Sequence, residues 1–386
     1  MMTSSLVILL SYLMVTLCVS RWYGKRLTSS LSEDSHTTFF VGGKFLTTPL
    51  LVFTLIATYT SASSFIGGSA AAYEFGLGWV WLAMIQVPVA MLTLGCLGKR
   101  MMDARISQNH TLIQWLDSHF NYKPLRLLTS LSLLIGFLAM MVVQLIAGAR
   151  LLEGVAGIAY EQGLLLFAMM VLLYTLMGGF RSVVVTDAVQ GLLMLVGLFI
   201  IAAVLLYQLS SFDHVSALLI AHDPALLQPH SIDQFISWPM LLSFWVLIGF
   251  GTLGLPHTVV RLLSVKNTDV LKKSMLWGTA IAFLMMFLPH FIGVLGRAYA
   301  IQFELQLDSP DLIIPVLISQ LFPAWLGCFL LAAPIAAVMS SVDSMLLQSS
   351  ATMIKDLYLM RQPNLSARKQ IHLTRFSMAV LMGLVI

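Results

Sequence analysis

Charge is scarce in this chain. Asp, Glu, Lys and Arg make up 10% of the 386 residues, while 59% are hydrophobic, and mean hydropathy is +0.90. Soluble domains carry about a quarter charged residues, so a water-facing globular fold is excluded. Cysteine is nearly absent. Cys18, Cys96 and Cys328 stand far apart with no C-x-x-C pair, which excludes a thiolate metal site or a disulfide framework and leaves buried structural thiols as the expectation. H-E-x-x-H, G-x-S-x-G and Walker A sequences are missing as well. Their absence argues against a membrane protease and an ATP-driven pump, and the chain is expected not to be an enzyme.

Long apolar runs fill the space that charge leaves. A bilayer span needs about 20 apolar residues. Ten candidates lie at roughly 5–20, 46–72, 78–98, 125–149, 161–177, 184–208, 235–256, 274–299, 323–354 and 371–386. The first lacks the basic n-region and A-x-A-like site of a cleavable signal. Residues 308–322 are too mixed to span and read as an external helix or loop, and 209–234 is the longest polar connection. With the N-terminus outside, 19 Lys and Arg fall in inner connections, including Arg261 and Lys355, and only Arg150 and Arg297 fall outside. That asymmetry follows the positive-inside rule. The net charge of +4 therefore reflects topology. The bilayer is the partner it implies; neither a nucleic acid nor an obligate protein partner is called for.

Two of the spans look broken. The second reads TLIATYTSASSFIGGSAAAYEFG, with hydroxyls and glycines crowded between Thr58 and Gly68. Such residues weaken a continuous helix. Unwound backbone at membrane depth persists only where it lines a cavity. The seventh span, SFWVLIGFGTLGLPHTVVR, is interrupted by Gly249, Gly251, Gly254 and Pro256. If the first span is peripheral, each broken span opens a five-helix half, the first at 46–208 and the second only in part at 235–386, and an odd number inserts the halves in opposite orientations. Paired breaks at matching positions mark the binding site of a secondary transporter.

The ninth span, LAAPIAAVMSSVDSMLLQSS over 331–350, carries Ser340 and Ser341 three and four residues after Ala337. On a helix these share a face, so two hydroxyls and a carbonyl can converge on a small cation. Hard neutral oxygens suit such an ion. Packing of small residues against a neighbouring helix is the competing account, and spacing alone leaves both open.

The stretches ATYTSASSFIGG, GGFRSVVVTDAVQG at 178–191, GLPHTVVR and APIAAVMSSVDSMLLQSS together resemble the sodium:solute symporter family, over essentially the whole chain. The resemblance implies an all-α polytopic membrane protein with the inverted five-helix-repeat, leucine-transporter-like fold, its second repeat incomplete. It implies sodium-coupled uptake across a bacterial cytoplasmic membrane, with pantothenate or a similar small anion as the expected substrate. Proline, another small carboxylate, or a non-transporting membrane protein are the alternatives. The implied sodium ligands are the carbonyls of Ala57, Thr60 and Ala337 and the hydroxyls of Ser340 and Ser341. Asp187 matches a family acidic residue that attracts or receives sodium; an N-cap or first-turn anion on the sixth span is its structural alternative. Asp343 is given no role. For the substrate, Tyr59, Ser61, Ser63 and Ser64 are the leading candidates and Trp245, Gly251 and His257 weaker ones, with half-helix N-termini able to hold a carboxylate. Gln86 and Gln144 read as helix–helix hydrogen-bond partners. The sequence stops at Ile386 inside the tenth span, so the closing helices of the second half are expected to be missing and transport by this chain to fail.

Overall fold

A computed structural model describes residues 11–22, 39–84, 86–102, 111–251, 254–362 and 365–386. Regular structure among them is helical, apart from a single bridge between Leu46 and Val265. In chain order the helices are α1 (11–22), α2 (Thr48–Tyr59), α3 (Ser63–Phe75, opening with a π turn), α4 (Leu77–Met84), α5 (Gln86–Met101), α6 (Leu112–Phe120), α7 (Lys123–Ala156), α8 (Tyr160–Gln208), α9 (Phe212–His222), α10 (Trp238–Gly251), α11 (Pro256–Leu263), α12 (Thr268–Gln302), α13 (Ile313–Leu321), α14 (Ala324–Ala351) and α15 (Ala367–Val385).

Local chemistry sets the ends of these helices. Asn267 caps α12 by accepting from the Val270 N–H at 2.9 Å, and Thr111 caps α6 by accepting from Gln114 at 3.0 Å, satisfying N–H groups that the first turn leaves unpaired. Pro124 opens α7 and Gly157 closes it in the left-handed region, the positions these residues favour. α8 contains a sharp break at Gly179, with φ 60° and ψ −166°. A side chain there would strike the Phe39 ring, 2.9 Å from an added Cβ, so glycine is required on both counts. The two predicted spans 161–177 and 184–208 thus meet end to end at this residue.

Among the described residues, four helices are long and apolar enough to cross a membrane: 123–154, 160–208, 268–302 and 324–361. The pair Thr48–Tyr59 and Ser63–Phe75, bent by 68°, passes the same test when the two are taken together as one span. α14 is the axis of the bundle. Every residue from Leu330 to Thr352 is buried, and the helix packs against α8, α7, α15 and α2. A helix hydrophobic all round and buried all round is a core element, so any hydroxyl on it must find its partner inside the protein.

Lipid is as apolar as leucine, so apolar side chains face outward as readily as inward. Leu247, Phe250, Leu276 and Leu384 are all well exposed. The same logic corrects the expectation for the cysteines. Cys18 and Cys96 lie exposed on the outer surface and Cys328 is half-buried, rather than forming part of the core. The segment 308–322 folds as a 3₁₀ turn and α13, whose Ile313, Ile314, Leu317 and Ile318 are buried. The polar connection 209–234 contains α9 and folds over the end of α3: Ser231 donates to the Phe75 carbonyl at 2.5 Å, and Phe235 stacks on Phe75 at 4.4 Å.

Candidate functional site

The broken span behaves as its composition predicts. α2 stops at Tyr59, Thr60 is extended, and α3 starts at Ser63. The Thr60 N–H still reaches the Ile56 carbonyl at 2.8 Å. Beyond it, the last carbonyls of α2 lose their helical partners, as at any helix end. Ala57 is one of these. Its carbonyl oxygen accepts from Ser340 Oγ on α14 at 2.9 Å. Ser340 Oγ also lies 3.2 Å from the Ala337 carbonyl, and Ser341 Oγ lies 3.1 Å from that same oxygen. Four neutral oxygens from two helices therefore cluster where α2 ends against the middle of α14. Thr60 is buried at the break itself.

The other end of the gap is held by a side chain. The Ala62 N–H donates to Gln144 Oε1 of α7 at 3.0 Å. Gln144 is thus a helix-to-helix partner as expected, but it binds backbone at the break. Ser61 and Ser63 hydroxyls pair at 2.7 Å. The side chain of Gln86 lies outside the described residues.

A cavity of about 440 Å³ opens beside this break, within the range of about 300–1,000 Å³ usual for small-molecule sites. The first break lines it with Thr58, Tyr59, Ser61, Ser63, Ser64 and Gly68. The second break lines it with Gly251, Leu255, His257 and Thr258, where α10 has ended and Pro256 opens α11. Met140, Gln144, Phe244, Met286, His290 and Met345 complete much of the wall, and Ser341 joins it from the oxygen cluster. Two half-helix N-termini thus face one space whose lining, among the described residues, holds no Lys or Arg. His290 Nδ1 is tied to the Met286 carbonyl at 2.5 Å, and its ring lies against Gly68, where an added Cβ would come within 2.4 Å of Nε2.

Trp245 is not in this wall. Phe244 and Ile248 of α10 point into the cavity; one residue along a helix turns by about 100°, which carries the indole away.

Asp187 departs from its structural alternative, the N-cap or first-turn anion. Gly179 marks the start of the second half of α8, so Asp187 sits in its third turn, beyond the reach of a cap. It is fully buried and forms an ion pair with Arg261 of α11. Thr54 and Thr58 hydroxyls donate to the same carboxylate at 3.0 and 3.3 Å. Arg261 was expected in an inner connection. Instead it is 1% exposed and spends its other donors on Thr54 Oγ1 at 2.8 Å, Ser344 Oγ at 2.9 Å and the His257 carbonyl. Lys355, likewise assigned to a connection, is buried with its ammonium 4.8 Å from the centre of the Phe40 ring. Asp343 accepts from the Tyr174 hydroxyl at 2.8 Å. The Asp187–Arg261 network joins α2, α8, α11 and α14 directly behind the oxygen cluster. An ionisable residue inside a span was a readable signal; Arg261 escaped because the break before it looked like the end of the span.

A bundle with two broken helices meeting at one cavity, wrapped around a buried polar-cored helix, defines a multi-pass membrane carrier of the leucine-transporter-like fold. The chain belongs to the sodium:solute symporter family, which it matches over residues 39–386. It is 42% identical over 345 residues to the sodium/pantothenate symporter of Haemophilus influenzae, covering 89% of this chain and 70% of that protein. It is 41% identical over 363 residues to the sodium/pantothenate symporter of Escherichia coli K12, covering 92% and 72%. The osmoregulated proline transporter of Bacillus subtilis is 27% identical over 369 residues, 92% of this chain and 72% of that one. In fold it is similar to a Na+-coupled sialic acid symporter solved substrate-bound and outward-open, with TM-score 0.87 at 18% identity over 99% of this chain and 79% of the other. MhsT in complex with L-phenylalanine gives TM-score 0.60 at 14% identity, over 89% and 80%.

Proposed function

We propose that this chain couples inward movement of pantothenate to sodium by alternating access in a bacterial cytoplasmic membrane, with its N-terminus outside. Sodium binds the carbonyls of Ala57, Thr60 and Ala337 with the hydroxyls of Ser340 and Ser341. Pantothenate occupies the adjoining cavity, its carboxylate at the half-helix N-termini and its hydroxyls and amide among Tyr59, Ser61, Ser63, Ser64 and His257. One observation carries the reading: Ser341 belongs both to the oxygen cluster and to the cavity wall, so the two ligands share a boundary. The names of the relatives at 41–42% identity support pantothenate over proline. Buried Asp187, paired with Arg261, lies behind the cluster and serves the sodium path.

The test is binding and then uptake of radiolabelled pantothenate, by purified protein and by vesicles, with and without sodium. A tenfold sodium gradient supplies ~1.4 kcal/mol and 100 mV supplies ~2.3 kcal/mol per net charge. One sodium with one pantothenate anion is electroneutral, so acceleration by an inside-negative potential would count a second sodium. Sodium-independent binding, or displacement of pantothenate by proline at equal concentration, would overturn the assignment.

A further inference from the structure

Away from the transport cavity, a groove of about 640 Å³ runs down the outer face between α5 and α12. Three close approaches fix the register of the two helices. A Cβ at Gly98 would lie 3.2 Å from Leu271, one at Gly95 would lie 3.0 Å from Met275, and one at Gly278 would lie 3.9 Å from Met91. The helices are therefore antiparallel. Lys99 in the last turn of α5 and Lys272 in the second turn of α12 lie at the same end, both exposed and both lining the groove. From Lys99 back to Met91 the groove extends about 12 Å at 1.5 Å per residue. Along that length Cys96, Met275 and Leu276 give it an almost wholly apolar wall.

The charges around the basic end have one dominant sign. Among the described residues, Arg100, Lys266 and Lys273 are exposed nearby in sequence, and Asp269 in the first turn of α12 is the acid that opposes them. Two amines at the mouth of a lipid-facing apolar channel match a molecule with an anionic head and a hydrocarbon tail. Basic pockets between membrane helices recognise phosphate headgroups in this manner. A zwitterionic lipid would bring its own cation toward the lysines and lose that advantage. We propose that the groove binds one anionic phospholipid, with its phosphate between Lys99 and Lys272 and an acyl chain laid along Met275 toward Met91.

The test uses the full chain in nanodiscs made from equal amounts of phosphatidylglycerol and phosphatidylcholine, followed by native mass spectrometry of the lipid retained after extraction. Phosphatidylglycerol should be enriched about tenfold among retained lipids. The double variant Lys99→Gln/Lys272→Gln should bring the ratio close to one, whereas Lys266→Gln/Lys273→Gln should keep the enrichment. Equal retention by the unaltered protein, enrichment that survives loss of Lys99 and Lys272, or an equal loss in the second pair would overturn the site. Cys96 supplies a second reading that needs neither lysine variant. With Cys18→Ser and Cys328→Ser, its alkylation by a lipid-soluble maleimide should slow several-fold when phosphatidylglycerol replaces phosphatidylcholine. An unchanged rate would refute occupancy of the groove.

Discussion

Replacing Arg261 with methionine should destabilise this protein more than any surface change. The guanidinium is 1% exposed, and it is an ion-pair partner of Asp187 and a donor to Thr54, Ser344 and the His257 carbonyl. Removing it leaves the Asp187 carboxylate, among the described residues, with two threonine hydroxyls. Breaking one side of a buried pair costs about 3–5 kcal/mol, because the other charge is stranded. Asp187→Asn strands the guanidinium instead and should cost a similar amount. The double variant Arg261→Met/Asp187→Asn removes both charges, and replacing a whole pair is often close to neutral. It should therefore lose less than either single variant, which is the signature of direct coupling. Scanning fluorimetry in detergent measures this as an apparent unfolding temperature. At about 2–4 °C per kcal/mol for domains of 150–250 residues, and fewer for a longer chain, each single variant should fall by roughly 5–10 °C. A single variant that melts with the wild type, or a double variant whose loss equals the sum of the two, would refute the argument.

Ser340→Ala and Ser341→Ala should each raise the sodium concentration for half-maximal pantothenate binding by roughly tenfold, since a ligand to a charged group contributes about 1.5–3 kcal/mol; unchanged sodium dependence in both and in the double variant would return these serines to packing. Ser64→Trp should fill the cavity and abolish pantothenate binding while sodium still shifts the unfolding temperature, and retained pantothenate affinity would place the substrate elsewhere. Gly68→Ala should cost about 1–3 kcal/mol through overpacking, because its Cβ would meet His290 Nε2 at 2.4 Å while Nδ1 is anchored at 2.5 Å; adding His290→Ala should recover most of the loss, and no recovery would show that the clash is not the cause.

How much of this was readable depended on sequence distance. The Ala337, Ser340 and Ser341 cluster was legible because helical spacing alone brings i, i+3 and i+4 together. The break after Tyr59 was legible because hydroxyls and glycines concentrate there. What lay opaque were contacts across the bundle. Gln144 meets Ala62 from 82 residues away, and Arg261 meets Asp187 from 74; no local pattern specifies either. Trp245 failed for a different reason. The break in the seventh span was visible, but the rotation of α10 about its own axis was not, and an error of one residue moves a side chain off the cavity. His290 was missed because a lone histidine in an apolar stretch of α12 gives no sign of facing a cavity until α3 is seen against it.

The break between α2 and α3 also gives the coupling a short physical route. A ligand shifts a conformational equilibrium only by its differential affinity for the two states, and one bound equally well in both shifts nothing. Sodium at the oxygen cluster would bind best when α2 lies against α14 with the Ala57 carbonyl near Ser340. The substrate would bind best when Ser61, Ser63 and Ser64 face His257 across the cavity. Thr58 and Ser341 line that cavity; Thr58 also bonds to Asp187 in the network behind it at 3.3 Å, and Ser341 bonds to Ala337 within the oxygen cluster at 3.1 Å. Moving α2 away from α14 would disturb both proposed sites at once. With both ligands at the proposed sites, the coupling free energy, reciprocal by linkage, would need no chain of intermediates: the two ligands would favour one arrangement of the same few residues on either side of the break.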